Sequence, residues 1–200
     1  MTSITNKPQA QTDHDIHPLI TKRWSPRAFA EQPISTDTLN RLFEAARWAA
    51  SSYNEQPWRF VYAHKGSEAY DKLMSSINPF NQAWAKSAPL LILGIVKNGF
   101  SHNSSENRHA MYDLGAAVAN MSLQGTEEGI YFHQMAGFDP DQARQSFGIP
   151  EEYTPVVAIA AGYLGDAATL PENLREKEYT PKQRNKIEAF AFEGEFNTTA

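Results

Sequence analysis

A chain of 200 residues without a single cysteine has no disulfide, thiol nucleophile or cysteine metal ligand, and its length suits one domain or one subunit of a small oligomer. Its 18 Lys and Arg against 23 Asp and Glu leave a formal charge of -5, and the basic residues are scattered, which argues against a broad nucleic-acid-binding face. No apolar run reaches membrane-spanning length and the polar N-terminus lacks a signal-type core, so a soluble, cytoplasmic protein with no membrane partner is expected.

Residues 1–16 are rich in Thr, Asn, Gln and Asp and read as a flexible arm, with a single domain over residues 17–200. The stretch Arg23-Trp24-Ser25-Pro26-Arg27-Ala28-Phe29 follows. In extended backbone Arg23, Ser25 and Arg27 leave on one side, while Trp24 and Phe29 anchor the segment to a core. Two guanidinium forks and a hydroxyl on one side form a clamp for a small anion, most simply a cofactor phosphate; the plainer alternative is a solvated basic turn.

A helix is predicted next, capped by Ser35 or Thr36, carrying Leu39, Leu42, Phe43, Ala46 and Ala50 as its apolar stripe and ending near Ser51-Ser52. Ser51 to Pro57 is a polar connector into a strand over Trp58–Ala63. Gly66 to Ser76 reads as a short amphipathic helix, Asn78–Asn81 as a turn, the region of Trp84 as a brief helical piece, and Pro89–Val96 as a buried strand. After a polar loop, a long helix is expected over Glu106–Glu128. Its Gly115, Ala116, Ala117 and Ala119 permit close packing, at a core or a subunit interface. Gly129–His133 predicts a strand. Asp139-Pro140 caps a helix that Gly148 stops, and Pro155–Tyr163 predicts another strand. Beyond Gly165 the chain reads as polar and extended, with Lys182 and Arg184 restoring positive charge and Phe190, Phe192 and Phe196 able to dock as a late strand or an arm.

Familiar catalytic signatures are missing. There is no Gly-x-Gly-x-x-Gly fingerprint, no Walker A sequence and no nucleophile elbow, and the histidine spacings do not make a metal site. His133, beside a buried strand, is the histidine best placed to reach a ligand, although a structural role is the more ordinary reading. What the chain does carry is three dispersed groups of anion and amide recognisers: Arg23, Ser25 and Arg27; Ser51, Ser52, Asn54 and Gln56; Lys182 and Arg184. A cofactor with a phosphate end and a hydrogen-bonding ring uses all three kinds of group.

In their order and spacing these segments resemble the nitroreductase family of FMN-dependent oxidoreductases. Arg23-x-Ser25-x-Arg27-x-Phe29 resembles the family's phosphate-binding motif, and Ala49 to Phe60 its flavin-contacting helix-to-strand junction. The resemblance implies an α+β fold with a central, mostly antiparallel sheet flanked by helices in an intertwined homodimer. It implies that Arg23, Ser25 and Arg27 contact the phosphate and flavin side of FMN, that Lys182 and Arg184 complete the phosphate site, and that Ser51, Ser52, Asn54 and Gln56, supplied by the other subunit, contact the ring and ribityl chain. Asn81 resembles an asparagine that binds the flavin, and Gly137 the residue whose N–H meets flavin N5, the one catalytic contact expected. Two departures stand out: Trp84 where some members carry a lysine at the flavin edge, and Ala136 where some carry Glu. The implied activity is ping-pong transfer of hydride from NAD(P)H, through FMN, to a small electron-poor acceptor such as a nitroaromatic or quinone. A flavin-binding sensor or store with little turnover, or reduction of an activated alkene, are the alternatives.

Overall fold

The computed structural model describes residues 10–196. The expected N-terminal arm therefore lies partly outside the described residues; its part from residue 10 to 16 carries no helix or strand and is exposed. The first element is α1 (Pro18–Lys22), started by His17, whose Nδ1 accepts from the Leu19 N–H.

Helix α2 (Thr36–Arg47) begins where the Ser35 hydroxyl accepts from the Thr38 N–H at 3.1 Å, with Asp37 in the first turn and Arg47 in the last to match the helix dipole. Leu39, Leu42 and Ala46 are buried. The helix stops at Arg47, earlier than its composition predicts, so Ala50 is exposed and Ala49 takes the buried place. Strand β1 (Trp58–His64) and helix α3 (Glu68–Ser76) follow, the latter capped by Ser67. Asn78 to Asn81 is not a free turn: Asn78 caps α4 (Pro79–Ala85), with Pro79 as its first residue. Next come β2 (Leu90–Lys97), α5 (Ala110–Glu127), β3 (Ile130–Met135), α6 (Pro140–Phe147) and β4 (Tyr153–Tyr163). Asp139 caps α6 with bonds to the Asp141 and Gln142 N–H groups, and Gly148, at φ 60, ends it in the left-handed conformation that favours glycine.

Among the described residues the four strands form one antiparallel sheet in the order β1-β2-β4-β3. The two central strands are covered on both faces, which is why Leu90–Val96 and Ala158–Ala161 are continuous apolar runs rather than alternating ones. On one face α2 and α5 bury Leu42, Leu90, Ile92, Leu114, Met121, Phe132 and Ile159. On the other, α3, α4 and α6 bury Leu73, Ile77, Trp84, Leu91, Leu93, Ala143 and Ala158. Each fully buried leucine is worth about 1.5–3 kcal/mol.

The Arg23–Phe29 segment is stitched to the exit of β4. Phe29 bridges Leu164, the Ala30 N–H donates to Tyr163 O and the Gly165 N–H to Ala28 O, both at 3.0 Å. Gly165 allows this approach, since a Cβ there would stand 2.9 Å from the Ala30 nitrogen. Beyond it lies α7 (Glu172–Glu178), where the composition predicts only extended chain; Leu174 of the helix and Leu170 just before it are buried in the second core. The tail aromatics form no strand among the described residues. A single turn over Ile187–Ala189 precedes Phe190 and Phe196, both exposed. No helix among the described residues is long and apolar enough to cross a membrane.

Candidate functional site

Along Arg23–Phe29 burial alternates with sequence. Trp24, Pro26 and Ala28 are buried, whereas Arg23, Ser25 and Arg27 are half-buried on the opposite side. Arg23 Nη1 donates to Ser25 Oγ at 3.2 Å. The Lys182 ammonium stands 5.7 Å from the centre of the Trp24 ring, and a cavity of about 300 Å³ lined by Ile16, Ile20, Arg23, Trp24, Lys182 and Arg184 opens beside it. Burial, followed by the charge of Arg184, depresses the Arg23 pKa below the usual guanidinium range. Among the described residues none of Arg23, Lys182 and Arg184 has a carboxylate partner. The site therefore concentrates positive charge that no carboxylate among the described residues pairs with.

Arg27 is treated differently. Glu178, 6 % exposed at the end of α7, accepts from the Arg27 N–H at 2.7 Å and from the Ala28 N–H at 3.4 Å, and its other oxygen lies 3.5 Å from Arg27 Nη1. This carboxylate fixes the backbone of the clamp from behind. Nothing in the spacing around Glu178 marks it, because its partners are 151 and 150 residues away.

Beneath the clamp lies His133 of β3. Its Nδ1 is 2.8 Å from the Pro26 carbonyl oxygen, and its ring centre is 4.3 Å from that of Trp84. Burial pushes its pKa down to about 4; the Pro26 and Ser25 carbonyls act in the opposite sense, and Arg27 and Lys182 add to the depression. Trp84, 2 % exposed, keeps its Nε1–H buried with no hydrogen-bond partner among the described residues. It is thus a core residue stacked under the clamp.

Asn81 and Gly137 meet at the N-terminal end of α4. The Gly137 carbonyl accepts from the Asn78 N–H at 3.0 Å and from Asn81 Nδ2 at 3.4 Å. A Cβ on Gly137 would collide with the Asn78 side-chain amide and stand 2.8 Å from Asn81 Nδ2. The Gly137 N–H donates to no acceptor among the described residues. Because Asn81 and Trp84 share one helix, and His133 and Gly137 lie on and just after β3, α4 and β3 join this amide edge to the clamp.

The connector stands apart. Tyr53, Asn54 and Gln56 all have positive φ, at 53, 55 and 51, an unusual concentration for residues with side chains. The Ser52 N–H donates to Asp113 of α5 at 3.1 Å and the Gln56 N–H to Ser51 Oγ at 3.0 Å. Glu55 accepts from the N–H and hydroxyl of Ser101 at 2.9 and 2.5 Å, and the hydroxyl bond leads in lowering its pKa. Among the described residues no hydrogen bond, ion pair or ring contact links the connector to Arg23, Arg27, Lys182 or Arg184. Asp113 was open to sequence reasoning: a carboxylate among Ala110, Leu114 and Ala117 lies on a buried stripe and must have a local partner.

The nitroreductase family model matches residues 20–163 of this chain. A protein of Mycolicibacterium smegmatis known as an uncharacterized 15.4 kDa protein is 31% identical over 143 residues, covering 68% of this chain and 95% of its own length. The NADH dehydrogenase of Thermus thermophilus is 25% identical over 173 residues, covering 71% of this chain and 83% of its own. The crystal structure of an oxidoreductase containing FMN is 35% identical and superposes with a TM-score of 0.89 over 94% of this chain and 96% of that one. With a matching fold, and a family match extending from α1 to the end of β4, the chain belongs to the nitroreductase family.

Proposed function

We propose that this protein is an FMN-dependent oxidoreductase that passes hydride from NAD(P)H to a small electron-poor acceptor such as a nitroaromatic or quinone, in alternating half-reactions, as a homodimer. The observation that carries the reading is the charge of Arg23, Lys182 and Arg184 around one cavity, with no carboxylate partner among the described residues. A phosphomonoester dianion fits this donor set, and Ser25 adds a hydroxyl beside it. The amide edge fits a ring with hydrogen-bonding atoms: Gly137 offers an N–H with no acceptor among the described residues, and Asn81 stands next to it. In the Mycolicibacterium relative the matched length is nearly the whole protein, and the structural neighbour at 35% identity is described as containing FMN.

Bound flavin would supply the two-electron chemistry; the side chains named here bind and orient it rather than react. Arg23, Ser25, Arg27, Lys182 and Arg184 hold the phosphate end. Asn81 and the Gly137 N–H address the ring, the latter at the redox-active edge. Ser51, Ser52, Asn54 and Gln56 complete the site from a second copy of the chain, which accounts for their separation from the clamp within one chain. The face of α5 opposite the sheet supports that copy: Met111 and Tyr112 are 59% and 80% exposed, and Gly115 and Ala119 beside them keep it flat.

The test is anaerobic. Protein loaded with FMN should lose its flavin absorbance on addition of NADH or NADPH and regain it when a quinone or nitroaromatic follows. FMN that stays oxidised with both nicotinamides would leave a flavin sensor or store as the reading.

A further inference from the structure

His133 is a buried titratable group to which the proposed reaction gives no task. The Pro26 carbonyl 2.8 Å from its Nδ1 can only accept, so Nδ1 carries a proton and the other ring nitrogen is the one that titrates. The charges facing the imidazole come from Arg27 of the extended segment and Lys182 of the tail, and both are positive. From α4 it meets the neutral Trp84 ring, and from β4 its paired residue is Ala160. Glu178 reaches Arg27 at 3.5 Å and is not among the groups acting on His133. The cations that oppose imidazolium are therefore cations of the clamp.

We propose that His133 is a positioning residue of the anion clamp and takes up a proton when a phosphomonoester dianion occupies it. A dianion in the cavity beside Lys182 offsets positive charge that, after burial, opposes protonation. The protonated ring keeps its bond to Pro26 O, now charge-assisted, and so tightens the backbone between Ser25 and Arg27. Without the dianion the imidazole stays neutral down to about pH 4. With it, the complex holds more protons than the free protein over the window from that value up to the raised one. Affinity for the dianion must then rise as pH falls through the window, by up to about tenfold per pH unit.

The inference rests on the FMN reading for the identity of the ligand, and its test separates the two. The probes are FMN, riboflavin, which lacks the phosphate, and inorganic phosphate. The first measurement follows the labelled His133 imidazole by NMR in the cofactor-free protein. Its titration midpoint should rise by about one pH unit or more with saturating FMN, rise also with inorganic phosphate, and stay put with riboflavin. The second compares FMN affinities of the parent and His133→Phe between about pH 4 and pH 7. Phe keeps a ring against Trp84 but carries no proton. Since the phosphate of FMN itself titrates near about pH 6, the ratio of the two affinities isolates His133. That ratio should move several-fold in favour of the parent as pH falls; a purely structural role would leave it constant. A midpoint unmoved by FMN, an equal shift with riboflavin, or a constant ratio overturns the inference. If FMN does not bind, the FMN reading fails on its own, and the inorganic phosphate arm decides proton uptake: a raised midpoint upholds it and an unmoved one overturns it. The NMR arm on the parent protein does not depend on the variant folding.

Discussion

Gly137 is where one missing atom matters most. Its carbonyl is held by Asn78 and Asn81, and a Cβ would run into both side-chain amides. Gly137→Ala should cost about 1–3 kcal/mol in chemical denaturation through the forced shift of the α4 cap. It should also weaken FMN binding by at least about tenfold, because the same shift displaces Asn81 and the Gly137 N–H from the amide edge. Unchanged stability together with unchanged FMN affinity would remove Gly137 from the site. At this scale the sequence was informative where neighbours in the chain are neighbours in space. The alternation of Arg23, Ser25 and Arg27 against Trp24, Pro26 and Ala28 could be read directly, since extended backbone imposes it. The role of Glu178 could not, because its partners lie on a segment at the other end of the chain and its own neighbours, Lys177 and Tyr179, look like any solvated helix end.

Among the described elements, α7 supports the proposed clamp from behind. It places Glu178 under two backbone N–H groups of the clamp, while Leu174 docks it on the core. Glu178→Ala strips the acceptor from the Arg27 and Ala28 N–H groups and should destabilise the fold by about 1–3 kcal/mol. Glu178→Gln keeps an acceptor and should recover a large part of that loss. Denaturation curves of the two variants, with proteolysis of the segment after Gly165 as a second readout, check this; equal losses would show that charge rather than acceptor geometry holds α7. The strands and α2 were legible because their apolar residues repeat with a clear period, at two or continuously in the sheet and near 3.6 in the helix. Helix α7 was hidden by its charged surface and its short length, with Leu174 the single apolar residue to betray a buried side. Helix α5 starts at Ala110 rather than Glu106 because Asn107 is spent on the turn before it: its Oδ1 accepts from the His109 N–H and its carbonyl from the Ala110 N–H.

For the whole molecule, the separation of the two halves of the proposed site is the central feature. Clamp and amide edge are joined through α4 and β3, whereas the connector is pinned to Asp113 on α5 and to the loop carrying Ser101. In the proposed homodimer a second copy seated on the exposed face of α5 would resolve that separation. Met111→Arg, which puts a charge on this face without touching the core, should shift the protein toward monomer in size-exclusion chromatography with light scattering and should release FMN. A dimer that persists with full FMN content would place the subunit contact elsewhere.

The most direct measurement is the flavin content of the purified protein after incubation with excess FMN and removal of the unbound fraction, for the parent and for Arg23→Ala. The account predicts stoichiometric, tightly held FMN in the parent and a much weaker complex in Arg23→Ala, because one of the cations around the cavity is gone. A folded parent protein that retains no FMN, or an Arg23→Ala variant that retains it with undiminished affinity, would contradict it.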